Sequence, residues 1–420
     1  MGLCGCHKDK SDPVEPGTTQ AHRTVLVYMS AQNSLKNFAN GKFDPTKTAI
    51  LSDSTEIMNG RAYLANNDRM LVFIDDAEDK GPRLYRIVRQ WDKPQLVAEW
   101  DKSFNSTDPE QFQTVLEKVK TDFPAQEYGL VMWSHADGWL PAKNKQYTRS
   151  ASSVMLPQSF GIEEKKSSVS TQMEVSDLAK AIAQAGMHMR FIQFDACLMQ
   201  GLEVGYALRN VTDYVVASPM SIASAGGYYI HLMQNGLFAN SPDSIISTYY
   251  RDVASAELSS SVYENVGIVI SCVRTNQLQT LANSLKAALP YSTLMQHTST
   301  DMNGVLDYHN YCAEFYYRPH SYDALQALER ILPTAQYLPV KSALLNAITS
   351  YKATSSIWVG PYSRNRIEIP VASGNYCGVS LFIPQSIYTL NATKCDFGDL
   401  NQAFQQTEWY EACGWGVTGW

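Results

Sequence analysis

Short apolar segments that alternate with amphipathic segments are the feature that most restricts the fold of this 420-residue sequence. The apolar segments are rich in β-branched and aromatic residues, which predicts buried strands at 24–29, 69–75, 128–134, 190–195, 213–218 and 267–273. Helices are predicted between them at about 48–64, 108–123, 175–185, 198–209 and 242–258. Strands that are apolar throughout are buried on both faces, so the sequence predicts an α/β fold in which helices cover both sides of a mostly parallel sheet.

The chain divides into three predicted parts. Residues 1–22 are polar, contain two prolines and are predicted to be an N-terminal tether. Residues 23–273 hold the alternating strands and helices. Residues 274–420 are predicted to be a mainly helical addition packed on them, with a helical stretch to 351, strands at 356–359 and 376–383, and a closing helix at about 400–412.

The composition argues against several classes of protein. A formal net charge of −7 opposes binding to nucleic acid, which needs clustered Lys and Arg. No apolar run approaches the roughly 18 residues that span a bilayer. The eight cysteines are sparse, the sequence lacks HExxH and P-loop motifs, and Gly414-x-Gly416-x-x-Gly419 has no strand before it. Neither a metal nor another cofactor is therefore predicted.

Two residues suited to nucleophilic catalysis follow the ends of two predicted strands. His135 comes directly after 128–134, and Cys197 follows the end of 190–195 by two residues. Open α/β sheets build their sites at the carboxyl ends of strands. The two side chains meet only if these strands are neighbours, and the helix predicted between them supplies the crossover that parallel neighbours require.

The chemistry of the two residues fits this placement. A cysteine attacks as its thiolate, and a helix that opens at Cys197 would lower the thiol pKa. His135 would take the thiol proton or protonate the leaving amine. The backbone N–H groups of Cys197 and Ala136 are the candidate donors to the oxyanion. Taken alone, each of the two side chains is more often a packed core residue than a catalytic one.

Three stretches together resemble the clostripain family of cysteine peptidases, which belongs to the same clan as caspases, gingipains and legumain. They are 24–35 (TVLVYMSAQNSL), 128–139 (YGLVMWSHADGW) and 194–204 (FDACLMQGLEV). The resemblance implies a caspase-like three-layer sandwich, with 23–273 as catalytic domain, and a cysteine endopeptidase acting on polypeptides. It also implies that Cys197 is the nucleophile, that His135 is the catalytic histidine, and that Asp195 lies at the base of a pocket for a P1 Arg or Lys side chain.

Two departures from the family pattern leave alternatives open. Ala136 stands where the family usually has glycine, although alanine also supplies a backbone N–H. The acidic residue that the family typically places after 214–218 is missing, and the chain has PMSIASAGGYY at 219–229. A peptidase with a non-basic P1 preference therefore stays open, as does a catalytically silent surface-binding lipoprotein on the same fold. The sequence makes no prediction of the oligomeric state.

A long loop from Ala136 to about Met173 leaves the predicted histidine strand. It is rich in Ser and Lys and has little periodicity, which is typical of a functional loop. Members of the family are often made as zymogens cut in this region, and the loop carries the basic residues Lys143, Lys145, Arg149, Lys165 and Lys166. The resemblance predicts self-cleavage here, and an ordinary solvated connection is the alternative.

The N-terminus resembles a lipid attachment site. Leu3-Cys4-Gly5-Cys6 is similar to the end of a bacterial lipoprotein signal, which would place a lipid anchor on Cys6. The charged start and apolar stretch that normally precede such a site are absent. Either the gene starts upstream of Met1 or the similarity is accidental. The expected location is the bacterial cell envelope or the medium, with or without this anchor.

Overall fold

The computed structural model describes residues 20–33, 35, 38–39, 42–43, 49–76, 80–141, 160–163, 171–223, 225–254, 267–294, 300–309, 320–358, 366–368, 375–395 and 397–420. Cys6 and nearly all of the predicted tether lie outside these ranges, as do the five basic residues of the long loop. What the sequence predicts for them stays a prediction.

The strands of the described ranges follow the predicted apolar segments closely in the first two thirds of the chain. In chain order they are β1 (Ala21–Ser30), β2 (Phe38–Ala39), β3 (Lys42–Phe43), β4 (Asp68–Asp75), β5 (Arg83–Ile87), β6 (Gln95–Glu99), β7 (Ala125–Trp133), β8 (Phe160–Glu163), β9 (Thr171–Met173), β10 (Phe191–Asp195), β11 (Tyr214–Ala217), β12 (Val269–Arg274), β13 (Tyr322–Asp323), β14 (Ile348–Ala353), β15 (Ser356–Trp358), β16 (Arg366–Glu368) and β17 (Ser380–Leu381).

The helices of the described ranges alternate with these strands. They are α1 (Ala49–Gly60), α2 (Pro109–Asp122), α3 (Val175–Gln184), α4 (Leu202–Leu208), α5 (Tyr229–Asn235), α6 (Asp243–Ala254), α7 (Leu278–Ala288), α8 (Ala324–Ile331), α9 (Thr334–Ala347), α10 (Ser386–Leu390), α11 (Leu400–Gln405) and α12 (Glu408–Cys413). Side-chain caps begin α2, α8, α11 and α12. For example, the Asp108 side chain accepts the Gln111 N–H at 3.0 Å, and Pro109 occupies the first turn of α2. Within the described ranges, no helix combines the length and apolar character needed to cross a membrane.

Nine strands form the central sheet in the order β14-β12-β11-β10-β7-β1-β4-β5-β6. The five middle strands, from β11 to β4, run parallel to one another. The outer strands at both edges are antiparallel. Parallel neighbours require crossovers, and the helices that make them cover both faces of the sheet. This confirms the predicted α/β sandwich.

Alternate residues along each middle strand pack into two separate cores. In β1, Val25, Val27 and Met29 join the core beneath α1, α5 and α6. Leu26 and Tyr28 join the core beneath α2, α3 and α4. Because successive side chains of a strand point to opposite faces, a strand that is apolar at every position fits only between two helical layers.

The last part of the chain builds a third core. Residues of α7, α8, α9, α11 and α12 pack together there with Leu202 and Tyr206 of α4. Trp409 and Trp415 are fully buried in this core. The C-terminal helices therefore rest against the helix that follows Cys197 in the chain.

Two predictions for the C-terminal part are wrong in detail. The helix predicted to 351 ends at Ala347, and Ile348–Ala353 forms β14 because the exposed edge of β12 offers it a hydrogen-bonding partner. The closing helix is split, since the Thr407 side chain accepts the Tyr410 N–H and so starts a new helix. The central sheet thus continues past residue 273, and the division of the chain at that point stays a prediction.

Candidate active site

The strands that carry His135 and Cys197 are neighbours in the sheet, as the sequence requires. β7 and β10 pair in parallel, with Trp133 directly opposite Asp195. His135 follows Trp133 by two residues and Cys197 follows Asp195 by two residues. The two segments therefore leave the sheet side by side at the carboxyl edge of its parallel centre.

The chain turns at Cys197 and Leu198 and does not become helical until Leu202, so the prediction of a helix opening at Cys197 is wrong. Leu198 has φ of +63°, and its N–H donates to the Met220 carbonyl at 3.1 Å. The Gln200 N–H donates to the Ser218 carbonyl at 3.1 Å. These hydrogen bonds tie the backbone N–H groups of Leu198 and Gln200 to the 218–220 segment, and α4 begins only at Leu202. The start of α4 is thus too far along the chain to act on the thiol directly.

The segment after His135 lies against the segment after Cys197. Gly138 has φ of +73°, and a Cβ atom there would lie only 2.7 Å from the Leu198 carbonyl oxygen. Any other residue at this position would push the two segments apart. Glycine here permits the close approach of the two candidate catalytic loops.

The Cys197 thiol is protonated at neutral pH. Its side chain is half-buried, and its Sγ accepts the Ile222 N–H at 3.4 Å. Burial raises the pKa of this thiol to about 11, and the charges of Asp137 and Asp195 act in the same direction. The prediction of a thiol pKa lowered by a helix terminus is therefore wrong.

The His135 imidazole is neutral at the same pH. Burial lowers the pKa of its ring to about 4. Its carbonyl oxygen accepts the Gly161 N–H at 2.9 Å, which fixes the backbone at this residue. A neutral imidazole keeps one ring nitrogen as a proton acceptor, the form needed by a general base.

The backbone N–H of Ala136 points away from β8. The bridge between Ala136 and β8 is of the non-hydrogen-bonded kind, because the flanking His135 carbonyl accepts the Gly161 N–H. The Ala136 N–H is therefore directed away from β8. That strand lies on the β1 side, where Gly161 packs against Ser30. The opposite side belongs to β10 and Cys197.

The Asp195 carboxylate is buried and held by donors from the 226–229 segment and α6. Its two oxygens accept the Gly227 N–H at 3.2 and 3.1 Å, the Tyr229 hydroxyl at 2.9 Å and the Tyr249 hydroxyl at 3.3 Å. Its side chain is 3% exposed. Burial raises the pKa of this carboxyl, and these hydrogen bonds lower it in part. The segment 219–229, which departs from the family pattern, therefore contacts Asp195 through the hydrogen bonds of Gly227 and Tyr229.

Two further carboxylates near Asp195 were not among the predicted site residues. Asp53 and Glu56 lie on α1, and the charge of Asp195 contributes to the raised pKa of each carboxyl after the larger effect of burial. Asp53 is fully buried, on the same helical face as Ile50 and Ile57. A carboxylate at helical spacing between two buried isoleucines was the sequence signal that could have revealed it. In the described part of the chain, no three metal-ligating side chains are grouped to hold a metal ion.

The sequence model of the clostripain family matches residues 27–418. The chain belongs to the clostripain family. It is similar in structure to a secreted C11 cysteine protease from Bacteroides thetaiotaomicron, solved in complex with an irreversible peptide inhibitor. The two chains are 27% identical with a TM-score of 0.73, over 94% of this chain and 99% of that chain.

A second similar structure is an inactive zymogen C11 protease from Parabacteroides distasonis, which is 26% identical with a TM-score of 0.70, over 94% of this chain and 99% of that chain. A third similar structure is a secreted C11 cysteine protease from Bacteroides thetaiotaomicron called iotapain. It is 18% identical with a TM-score of 0.74, over 94% of this chain and 99% of that chain, and at this identity the similarity supports the fold alone. Comparison with curated proteins gave no match. Family and fold together identify this clostripain-family chain as a cysteine peptidase.

Proposed function

We propose that the chain is an endopeptidase in which Cys197 and His135 form the catalytic dyad. The observation that carries this proposal is the pairing of β7 with β10, which brings both residues to the same edge of the sheet at the same offset from the Trp133–Asp195 pair. The close approach of Gly138 to Leu198 supports the same arrangement.

In the proposed reaction, Cys197 Sγ attacks the carbonyl carbon of the scissile bond as its proton passes to His135. The C–N bond then breaks, the leaving amine takes the proton from His135, and a thioester remains on Cys197. A water molecule that gives a proton to His135 hydrolyses the thioester, and the proton returns to the thiol. The dyad starts and ends neutral, which agrees with the raised thiol pKa and the lowered imidazole pKa.

We propose the backbone N–H groups of Cys197 and Ala136 as the donors to the oxyanion. The direction of the Ala136 N–H supports this role. Because the donor is backbone rather than side chain, the replacement of the family's usual glycine by alanine leaves the group in place.

For substrate choice, we propose cleavage after Arg or Lys, with Asp195 as the counter-charge. All the donors on the Asp195 carboxylate are neutral groups, so its charge is available to a cation. Two observations favour the alternative, a non-basic P1 residue. Asp195 is only 3% exposed, which limits its access to a substrate, and the segment 219–229 lacks the acidic residue usual in the family. A fluorogenic peptide library varied only at P1 tests the choice. We expect Arg and Lys substrates to be cleaved fastest, and equal rates after neutral residues would overturn the P1 assignment alone.

We propose that the protein acts on polypeptides outside the cytoplasm. The similar protease from Bacteroides thetaiotaomicron is described as secreted, which supports this location. Attachment through a lipid on Cys6 stays a hypothesis from the sequence. The alternative of a silent binding protein has little support, because a non-catalytic chain has no need for the paired His135 and Cys197.

A further inference from the structure

A group of linked carboxylates lies on the face of the sheet that α1, α5 and α6 cover. The Trp133 indole N–H donates to Asp53 Oδ2 at 2.6 Å, and Trp133 is the strand partner of Asp195. On the other side, the Tyr229 N–H donates to Glu56 Oε2 at 3.0 Å, and the Tyr229 hydroxyl donates to Asp195 at 2.9 Å. Trp133 and Tyr229 therefore each connect Asp195 to one carboxylate of α1.

The donors around this group do not offset its charge, and burial together with the charge of Asp195 raises the pKa of both Asp53 and Glu56. In the described residues, the donors on Asp53, Glu56 and Asp195 are all neutral: an indole, two backbone amides and the hydroxyls of Ser52, Tyr229 and Tyr249. Buried carboxylates whose charges interact repel one another unless one is protonated or a cation joins them.

One acceptor of the group is left unused. Asp53 Oδ1 is buried without a hydrogen-bond partner in the described structure, and its side chain is fully buried. A buried carboxylate oxygen without a partner is destabilising unless a ligand satisfies it. Two groups could satisfy this oxygen: a proton on the carboxyl, which the raised pKa of Asp53 favours in the empty site, or a cation brought by the substrate.

We propose that Asp53 and Glu56 are specificity-determining residues that extend the pocket of Asp195 and select a cationic P1 side chain. This inference rests on the proposed preference for Arg or Lys. Asp195 faces the substrate cation, and the two α1 carboxylates deepen the negative potential behind it. A guanidinium or ammonium group that enters the site favours the ionised form of these carboxyls, and three ionised carboxylates at low dielectric attract it more strongly than one.

The test compares two peptides that differ only at P1, one with arginine and one with its neutral isostere citrulline. The variants are Asp53→Asn, Glu56→Gln and Asp195→Asn. The amides keep an acceptor for the Trp133 indole and the Tyr229 N–H, so the packing is preserved while the charge is removed. Glu117→Gln, which removes one charge from an exposed position on α2 on the opposite face, is the matched control.

We expect the ratio of kcat/KM for arginine over citrulline to fall about tenfold or more in Asp53→Asn and in Glu56→Gln. The loss should lie mainly in KM, with kcat/KM for the citrulline peptide nearly unchanged, which a misfolded site would not give. Glu117→Gln should keep the wild-type ratio. If Asp53→Asn does not fold, Glu56→Gln decides alone.

Failure of the inference and failure of the proposed preference give different results. If Asp195→Asn loses the arginine preference while Asp53→Asn and Glu56→Gln retain it, the α1 carboxylates have no part in specificity. If wild type itself cleaves both peptides equally well, the proposed basic preference is wrong and the inference falls with it.

Discussion

In the proposed dyad, the Cys197 thiol and the His135 imidazole are both uncharged at neutral pH. Burial alone accounts for most of this state, since it disfavours both thiolate and imidazolium. The sequence placed both residues correctly at strand ends, because that placement depends on local apolar runs. It gave the wrong thiol pKa, because it revealed neither the burial of the thiol nor the late start of α4, and both depend on distant parts of the chain.

A neutral resting pair has a consequence for alkylation by iodoacetamide. The thiolate fraction of Cys197 should grow with pH up to a pKa of about 11, so we expect its alkylation rate to rise about tenfold per pH unit from 7 to 9. The rate is measured by mass spectrometry of the Cys197 peptide, with Cys197→Ala as the blank. A rate that is already constant below pH 7 would mean a preformed thiolate–imidazolium pair instead.

Gly138 is the residue whose replacement best tests the contact between the two loops. Gly138→Ala introduces strain at a φ of +73° and a clash with the Leu198 carbonyl. Gly304→Ala is its control, because Gly304 has a similar φ of +80° but open space around it. We expect each to lower the free energy of unfolding by about 1–2 kcal/mol, measured by denaturant titration. Only Gly138→Ala should also lose most of its kcat/KM, and equal activities of the two variants would contradict the contact.

Elements far apart in the chain hold the segment between Cys197 and α4 in its non-helical shape. The Ser380 N–H of β17 donates to the Gln200 carbonyl at 2.8 Å. Just beyond β17, the Phe382 N–H donates to the Glu203 carboxylate at 2.8 Å. The apolar spacing after Cys197 predicts a helix that begins there, and these long-range hydrogen bonds override that local preference. A single sequence carries no signal of which distant backbone groups will compete in this way.

The loop that follows the histidine strand is the element expected to be cut for activation. Its basic residues offer sites to an enzyme with a preference for Arg or Lys, and exposed loops are where proteolysis concentrates. We expect purified wild-type protein to separate into two fragments under denaturing conditions, while Cys197→Ala remains one chain. Intact-mass measurement of both decides the matter. A wild-type protein that is active and uncut would identify the loop as an ordinary connection.

At the scale of the whole molecule, the central sheet and the C-terminal part of the chain are joined by shared strands and hydrogen bonds. β14 from the C-terminal part extends the central sheet, and β17 supports the segment that carries Cys197. The sequence predicts the parallel centre of the sheet well, because apolar runs reveal buried strands without knowledge of their partners. In the C-terminal part it predicts β15 and the region of β17 but misses β14, because the pairing of β14 is decided by an edge of the sheet that exists only after the rest has folded.

The central claim is that Cys197 is the nucleophile of a peptidase, and hydrolysis of a quenched fluorescent peptide by Cys197→Ala tests it most directly. Cys272→Ala, which alters a fully buried cysteine of β12, serves as the matched control. We expect Cys197→Ala to lose at least ~10³-fold in kcat/KM while it unfolds at the wild-type temperature, and Cys272→Ala to retain its activity. Cleavage of the same bonds by Cys197→Ala at a rate within about tenfold of wild type would contradict the assignment.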